Sequence, residues 1–547
     1  MRRLMRAPMF TTITLITLAL GIGANTVIFS VVSGVLLKPL SYPDPETLVA
    51  VWQTASGIGL PNVNASPSTY FTYREESQTF RDIGIWAGGS PSVTGVGEPE
   101  QVESRSVTEG VLPILGVQPI RGRWFTAKDD SQGSPETVIL SSSYWERRFG
   151  SDPSAIGRTI LVDGRPREII GIMPKSFRFL NSRPSLFLPM RFNRNDAFIG
   201  NFSFQAIARL KPGMTIAQAN SDVARMIPML PQKFPPAKGM SLAMFEQAKF
   251  GPDVRPLMQE VVGDAGQVLW VLMATVGMVL FIACANVANL LLVRAEGRQQ
   301  ELAVRAALGA GWSRIARELL FESVLLALVG GALGVSVAAG GLRLLKALGP
   351  ADLPRLDEIS LDPSVLLFAL AVSLAGGLLF GLMPVIKYAG PSLETVLRRG
   401  GRTSSEGRER HRARSTLVVV QVALALVLLV GSGLMIRTLQ ALKRIQPGFT
   451  QPEEILTFRI SIPGAHVREP ERVARIYHDM LQKIATIPGV TSAGLSNSIT
   501  MDGANNNDPL WLEDRPDSGG KLPPIRRFKH ISPDFFRTMG SPLVAGR

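Results

Sequence analysis

Side chains that could carry covalent or metal chemistry are few in this chain of 547 residues. The single cysteine, Cys284, lies inside an apolar stretch, so we expect it to be a small residue at a helix contact. The four histidines have no cysteine or paired carboxylate at ligand spacing: His411, His466, His478 and His530. No Ser-His-Asp order or Gly-x-Ser-x-Gly elbow occurs. We therefore expect no catalytic residue, no metal site and no cofactor.

A basic loop carries the one pattern that suggests a mechanism. It reads RAEGRQQELAVRAALGAGWSRIARELLFES from Arg294, and its spacing predicts a short helix over 299–308 that ends at Gly309-Ala310-Gly311. Ser313 is then the expected N-cap of the next helix. A short helix fixed between two membrane helices is suited to receiving force from a partner. The sequence leaves open the alternative of a solvated basic loop that only sets topology.

The elements that flank this loop are apolar enough to cross a membrane. Apolar residues make up 46% of the chain and charged residues only 19%. Five stretches reach the roughly 20 residues that a membrane helix needs. They are Thr11–Leu37, Gln267–Val293, Leu319–Leu345, Ser364–Ile386 and Leu417–Ile436. We therefore expect a multi-pass membrane protein with a soluble segment of domain size between spans 1 and 2.

The positions of lysine and arginine predict the orientation, because short basic loops stay in the cytoplasm. Sixteen cations less five glutamates, at the N-terminus and in the loops between spans 2 and 3 and spans 4 and 5, give +11 of the net +14. The connection between spans 3 and 4 is acidic, with Asp352, Asp357 and Glu358 against Arg355. We expect the N-terminus in the cytoplasm and the soluble segments outside, in a cell inner membrane.

This distribution of charge argues against two other classes. The basic residues flank membrane spans and lack interleaved aromatic side chains, so nucleic acid is not expected as a partner, whereas membrane lipids are. The first span is longer than the apolar region of a signal peptide and no small-residue cleavage site follows it, so it is expected to remain as an anchor.

The soluble segment alternates short strands with amphipathic helices, which predicts an α+β domain. Asp163-Gly164 is expected to form a hairpin turn, and Thr215 to cap a helix that runs to Met226. The irregularly spaced tryptophans are more typical of core packing than of a ligand cage: Trp52, Trp86, Trp124 and Trp145.

The sequence also repeats itself. Pro45-Glu46-Thr47-Leu48-Val49 after the first span corresponds to PEEIL from Pro452 after the fifth, and VTEGVLPILGVQPIRGR from Val107 corresponds to ISPDFFRTMGSPLVAGR from Ile531. We expect a duplicated membrane unit whose second copy is incomplete in this chain.

Glycines four residues apart occur in two spans. Gly330 with Gly334 in span 3, and Gly377 with Gly381 in span 4, are expected to let helix backbones approach each other or a second copy of the chain. Charged residues near the middle of the spans are rare, which disfavours an ion-coupled carrier.

Taken together, the run GIGANTVIFSVVSGVLLKPLSYPDPETLV, the stretch ELAVRAALGA from Glu301 and the large segment after one span resemble the FtsX-like permeases with a MacB-like periplasmic core domain. The greatest resemblance is to the acidobacterial duplicated orphan permease group of ABC transporter permeases.

The resemblance implies a membrane α-helical bundle plus an α+β periplasmic domain, in the order of one span, a large outer domain and three spans, followed by a partial second repeat. The implied boundaries are a cytoplasmic N-terminus at 1–10, span 1 at 11–37, the periplasmic core domain at 38–265 and the permease domain with spans 2–4 at 266–389. A basic linker at 390–415, span 5 at 416–437 and a partial second core domain at 438–547 follow.

The resemblance further implies a coupling helix that meets a separate cytoplasmic ABC ATP-binding subunit. Its residues would be Glu301, Leu302, Val304, Arg305, Leu308 and Gly309. A second cytoplasmic element would be PSLETVLRRG at 391–400. This chain itself has no Gly-x-x-x-x-Gly-Lys-[Ser/Thr] phosphate loop, so it is not expected to be an enzyme.

The expected function is that of an exporter permease that transmits ATP-driven movement to its outer domains. The alternative is a membrane-anchored regulator that activates a periplasmic cell-wall hydrolase without moving substrate. Further implied partners are a periplasmic or outer-membrane protein and, as a pseudo-dimer by duplication or a homodimer, a second copy of the unit.

Overall fold

The computed structural model describes residues 7–298, 300–301, 304–305, 308, 311–348, 354–388, 406–445, 448–460, 462, 467, 469–499, 507–510 and 523–545. The chain divides into two compact units. One comprises Met1–Pro39 with Val262–Arg444, and the other comprises Leu40–Val261 with Ile445–Arg547.

The first unit is built from long apolar helices. Among the described residues, five helices are long and apolar enough to cross a membrane, and we number them spans 1 to 5. They cover Pro8–Leu37, Ala265–Glu296, Ser313–Leu348, Pro363–Val385 and Val418–Arg444. Span 1 ends in a π-helical turn, Ser33–Leu37. The helices extend beyond several of the predicted apolar stretches because polar residues at their ends continue the helical backbone.

Glycines set the approach of spans 1, 3 and 4. A Cβ atom added to Gly334 would lie 3.1 Å from both the Ala19 carbonyl oxygen and the Gly23 nitrogen of span 1. One added to Gly377 of span 4 would lie 2.9 Å from the Cβ of Ala327 in span 3. Backbones can come this close only where side chains are absent or small.

A buried polar residue connects span 1 to span 2. Asn25 donates from Nδ2 to the Gly21 carbonyl at 2.9 Å and to the Val276 carbonyl of span 2 at 2.8 Å. In an apolar surrounding an amide donor needs such partners, so the position of Asn25 fixes the register of the two helices.

The second unit contains one large mixed sheet of 13 described strands. In chain order, β1 to β13 are Leu48–Ala55, Leu60–Val63, Phe80–Gly89, Ser92–Thr94, Glu100–Gln101, Ser104–Val107, Arg121–Gly122, Thr137–Leu140, Thr159–Val162, Arg165–Ile172, Leu186–Pro189, Gln205–Leu210 and Phe250–Pro256. Their order across the sheet is β13-β1-β12-β3-β6-β11-β8-β10-β9-β4-β5, with β2 paired to β1 and β7 to β10. Most neighbours are antiparallel, whereas β8 with β10 and β6 with β11 are parallel.

Short helices cover this sheet and enclose separate hydrophobic cores. They are Pro67–Glu76, Val111–Leu115, Ser142–Phe149, Ile216–Met226, Leu230–Lys233, Leu242–Ala248 and Leu257–Val262. Tyr73 and Val223 belong to one core, and Tyr144 and Ile169 belong to another. The predicted α+β class is confirmed.

Two local predictions in this unit, a hairpin turn and a helix cap, agree with the structure. Asp163 and Gly164 have φ angles of 51° and 73°, and they join β9 to β10 in the predicted hairpin. The Thr215 hydroxyl accepts the Gln218 N–H at 3.3 Å and so caps the helix as expected. The prediction for Ser313 is wrong, because the helix of span 3 already begins at Trp312. The tryptophans pack with the hydrophobic cores.

The segment after span 5 contains fewer described elements. They are the helices Pro470–Ala485 and Phe535–Thr538 and a two-stranded hairpin of Asn507–Pro509 with Ile525–Arg527. A short 3-10 helix at Pro452–Glu454 follows Gln451 at φ 53°, and its counterpart at Pro45–Thr47 follows Asp44 at φ 46°. The two repeated Pro-Glu sequences thus adopt the same local backbone.

Candidate functional site

The loop between spans 2 and 3 is held by the helix ends that flank it. Leu292 and Ala295 of span 2 pack with Ile315 and Ala316 of span 3 and with Val385 of span 4 in a small hydrophobic cluster. The helix ends are therefore fixed next to each other where the loop leaves span 2 and enters span 3.

Next to this cluster, three arginines and three glutamates form what we call the ion-pair network: Arg294, Arg298, Glu301, Arg305, Glu318 and Glu322. Arg294 contacts Glu322 at 2.9 Å, and Arg305 contacts Glu318 at 3.0 Å and also pairs with Glu301. Arg298 pairs with three carboxylates, those of Glu301, Glu318 and Glu322. The network ties the loop to the first turns of span 3.

Burial changes along the network. The side chains of Arg294 and Glu322 are 16% and 15% exposed, whereas that of Glu301 is 43% exposed. Exposed ion pairs contribute only about 0–1 kcal/mol each, since water competes for both partners. The ion pairs that involve Glu301, in the loop, are therefore weaker than the pair between Arg294 and Glu322 at the ends of spans 2 and 3.

Two apolar side chains of the same loop are exposed. Val304 is 58% exposed and Leu308 is 83% exposed. The Leu308 N–H donates to the Val304 carbonyl at 3.0 Å, an i to i+4 bond that places both residues on one helical face. We call this pair the exposed apolar face of the loop. Its two side chains would be removed from water if another protein bound to this face.

The predicted coupling residues thus fall into three groups. Glu301 and Arg305 belong to the ion-pair network, Val304 and Leu308 form the exposed apolar face, and Leu302 and Gly309 lie outside the described residues. The predicted element at 391–400 also lies outside them. The partners Glu318 and Glu322 were not predicted. Their spacing of four residues, with Arg294 and Arg298 also four apart, is the signal that could have indicated facing helix surfaces.

The glycines predicted for helix packing lie at close contacts. Gly330 and Gly334 face Leu18 and Ile22 of span 1, and Gly377 and Gly381 face Ala327 and Ser323 of span 3. Span 1 contributes two glycines that were not predicted from the sequence: Gly23 faces Gly334 and Val337 of span 3, whereas Gly21 faces Leu280 and Ala283 of span 2.

Among the described residues, no group of three or more His, Cys, Asp or Glu is placed to hold a metal ion. Cys284 is buried among the helices, close to Gly376 of span 4. In the second unit, the pKa of Asp130 is raised to about 6, mainly because the carboxyl group is buried and also because the Glu109 carboxylate is near. The backbone N–H groups of Glu109 and Arg191 donate to Asp130 and oppose this rise.

Two family models match the chain in succession. The model described as MacB-like periplasmic core domain matches residues 11–226, and the model described as FtsX-like permease C-terminal matches residues 273–393. The second match contains the ion-pair network and the exposed apolar face. The chain belongs to the MacB/FtsX family of ABC-type permeases.

This permease is similar to proteins of two arrangements. It is 24% identical to an uncharacterized ABC transporter permease, YknZ of Bacillus subtilis (strain 168), over 69% of this chain and 92% of that protein. It is 26% identical to the macrolide export ATP-binding/permease protein MacB of Rhodopseudomonas palustris (strain BisB18), over 52% of this chain and 41% of that protein. The permease thus spans about two fifths of the length of its MacB relatives.

Solved structures resemble part of the permease. The periplasmic region of MacB from Actinobacillus actinomycetemcomitans aligns over 43% of this chain and 96% of that chain, with 14% identity and a TM-score of 0.29. The family models and the five apolar helices make this chain a membrane protein with a periplasmic-type domain.

Proposed function

We propose that this permease is the membrane subunit of an exporter that works by mechanotransmission. A separate cytoplasmic ATP-binding subunit would supply the energy, and the membrane helices would carry the resulting movement to the periplasmic-type domain. The observation that carries the proposal is the loop between spans 2 and 3. This loop contains the exposed apolar face, and the ion-pair network connects it to spans 2 and 3.

The geometry of the loop fits a part that receives force. A partner that binds Val304 and Leu308 would act on a short helical segment whose charged residues contact Glu318 and Glu322 of span 3. Arg294 of span 2 contacts the same Glu322. Displacement of the loop would therefore be passed to two spans at once.

On this proposal, the energy comes from an ATP-binding subunit. The MacB relatives are named ATP-binding/permease proteins, whereas the present sequence has no phosphate-binding loop. An ATP-binding subunit that docks on the loop supplies the missing activity. This requires the N-terminus and the loop to be in the cytoplasm, as the arrangement of basic residues predicts.

We also propose that the segment from span 5 onward is a second copy of the unit. The support is the repeated Pro-Glu sequence with the same 3-10 turn after an αL residue. On this proposal the permease belongs to the duplicated orphan group, and the two copies form a pseudo-dimer.

The exposed apolar face gives a direct test. The full chain in lipid nanodiscs is combined with candidate ABC ATP-binding subunits, and both complex formation and ATP hydrolysis are measured. Leu308→Asp should weaken the complex roughly tenfold or more, because a charge replaces an apolar contact at the centre of the interface. The matched control is Leu456→Asp, since Leu456 is 87% exposed but lies in the segment after span 5.

Equal binding by Leu308→Asp and the native chain would remove the loop from the mechanism. A stimulated ATPase that moves no substrate, together with a cell-wall hydrolase that co-purifies with the chain, would replace the exporter by the regulator.

A further inference from the structure

At the opposite end of spans 3 and 4 from the ion-pair network, a buried arginine holds the end of span 1. Arg355, in the connection between spans 3 and 4, is only 4% exposed. Its guanidinium donates to the carbonyls of Val35 at 3.3 Å, Lys38 at 2.7 Å and Pro39 at 2.8 Å. One side chain, distant in sequence, therefore binds carbonyl groups in the last turn of span 1 and in the two residues just after Leu37.

Acidic side chains complete this contact. Glu358 pairs with Arg355, and Asp362 pairs with Lys38 at 2.8 Å. Hydrogen bonds first from Lys38 and then from Ser364 hold the pKa of Asp362 well below its usual range, so this carboxylate stays charged in mildly acidic solution. We call Lys38, Arg355, Glu358 and Asp362 the span 1 clamp.

Apolar contacts support the clamp. Gly34 lies so close to Ile359 that an added Cβ would be 3.1 Å from the Ile359 Cα. Earlier in span 1, the ring of Phe29 stacks on that of Phe368 in span 4 with centroids 3.9 Å apart. Span 1 is thus fixed to the 3–4 connection by both polar and apolar contacts.

Span 1 ends at Leu37, and the backbone carbonyls at this end and just after it need hydrogen-bond donors from elsewhere. The last carbonyls of a helix have no partner within the helix, and buried carbonyls without a partner are costly. A planar guanidinium with five N–H donors can satisfy several of them at once in a fixed geometry. Span 1 then continues directly, through Pro39, into the residues that begin the second unit at Leu40.

We infer that the span 1 clamp makes the end of span 1 and the connection between spans 3 and 4 move as one body, with Arg355 as the positioning residue. The inference rests on the proposed function, because the clamp matters for activity only if the spans transmit movement. Force that reaches span 3 through the loop would then be delivered to the point where the chain enters the periplasmic-type domain.

Hydrogen–deuterium exchange on the full chain in nanodiscs tests the clamp without any partner. We expect exchange of the amides at 33–40 to rise roughly tenfold in Arg355→Ala, because several charge-assisted hydrogen bonds are lost together. Arg343→Ala is the control, since Arg343 is an exposed arginine near the same end of span 3. Unchanged exchange in Arg355→Ala, or an equal rise in Arg343→Ala, would overturn the inference.

A double-mutant cycle covers the case in which Arg355→Ala does not fold. Lys38→Gln and Asp362→Asn should each raise exchange at 33–40 a few-fold, and the double variant should add little to either, because both remove the same contact. Fully additive effects would mean that the two side chains act independently, and the clamp would be refuted.

ATP hydrolysis separates the clamp from the proposed function. If the native chain stimulates a partner ATPase, Arg355→Ala should keep the partner bound but lower the stimulation. If no candidate subunit binds, the proposed function fails, while the exchange results still decide whether the clamp exists. A variant with raised exchange but full stimulation would refute the positioning role of Arg355.

Discussion

The two ends of the membrane-helix unit are held by different kinds of bond. In the ion-pair network, side chains bind side chains, and the outer members Glu301 and Arg305 are partly exposed. In the span 1 clamp, a buried side chain binds one backbone carbonyl in the last turn of span 1 and two in the residues that follow it. Both ends use arginine, yet one arginine faces carboxylates and the other mainly faces the main chain.

This difference determines what each end can do. Arg298 lies near three carboxylates, so it can exchange partners when the loop is displaced without leaving its charge unpaired. Arg355 has no comparable choice, because the carbonyls of Val35, Lys38 and Pro39 have fixed positions in the chain. The ion-pair network can therefore adjust when a partner displaces the loop, whereas the span 1 clamp keeps its geometry and passes the movement on to the end of span 1.

Removing one arginine from each end gives the largest expected difference. Arg355→Met should cost about 3 kcal/mol of stability, because it removes the donors to the buried Val35 carbonyl and the part-buried Lys38 and Pro39 carbonyls together with the ion pair to Glu358. Arg305→Met should cost only ~0.5 kcal/mol, since its partners remain in contact with water. Thermal unfolding midpoints in nanodiscs measure both. Similar midpoints for the two variants would show that the ends do not differ in rigidity.

The spans between the two ends must themselves be rigid for this comparison to hold. Gly334→Leu should destabilise the unit by ~2 kcal/mol, since its side chain would meet backbone atoms of Ala19 and Gly23. Gly340→Leu provides the control in the same helix, because an added Cβ there meets nothing within 4 Å. The unfolding midpoint should fall only for Gly334→Leu. A matching fall in both variants would point to helix propensity instead of packing.

Asn25 adds a smaller connection, between span 1 and span 2. Asn25→Leu should cost about 1 kcal/mol, the usual size of one hydrogen bond between membrane helices. The readout is the same unfolding midpoint, with Thr275→Val as the control, because the Thr275 hydroxyl bonds within span 2, to the Val271 carbonyl. A larger loss for Asn25→Leu than for Arg355→Met would mean that span 1 is held mainly by its contact with span 2 and not by the clamp.

The sequence was sufficient for features that depend on local composition. Hydropathy located all five long helices, since a membrane helix must satisfy its own backbone and therefore needs an unbroken apolar run. The Asp163-Gly164 turn and the Thr215 cap were predicted because their geometry depends on only a few neighbouring residues. Ser313 was misplaced at the start of span 3, as residues at helix ends commonly are.

Contacts between distant residues could not be predicted in the same way. Arg355 appeared in the sequence only as one cation in an acidic connection, yet its partners are carbonyls, which every residue carries. Glu318 and Glu322 were not considered as partners because pairing depends on how spans 2 and 3 align at their ends. The order of the 13 strands likewise depends on crossovers that no local pattern encodes.

Salt should affect the ion-pair network but not the span 1 clamp, and this is the smallest effect that we predict. At 1 M salt the Debye length is about 3 Å, so exposed ion pairs are strongly screened whereas buried contacts are not. Hydrogen–deuterium exchange of peptides from the loop should therefore rise a few-fold between roughly 0.05 and 1 M salt (roughly 1 kcal/mol or less). Peptides that cover 33–40 should not change, because Arg355 is buried and its acceptors are carbonyls.

Strand β8, at Thr137–Leu140, serves as an internal reference because all four residues are buried. Salt-dependent exchange at 33–40 would mean that the Lys38–Asp362 pair, with side chains 33% and 19% exposed, dominates the clamp and that Arg355 contributes little.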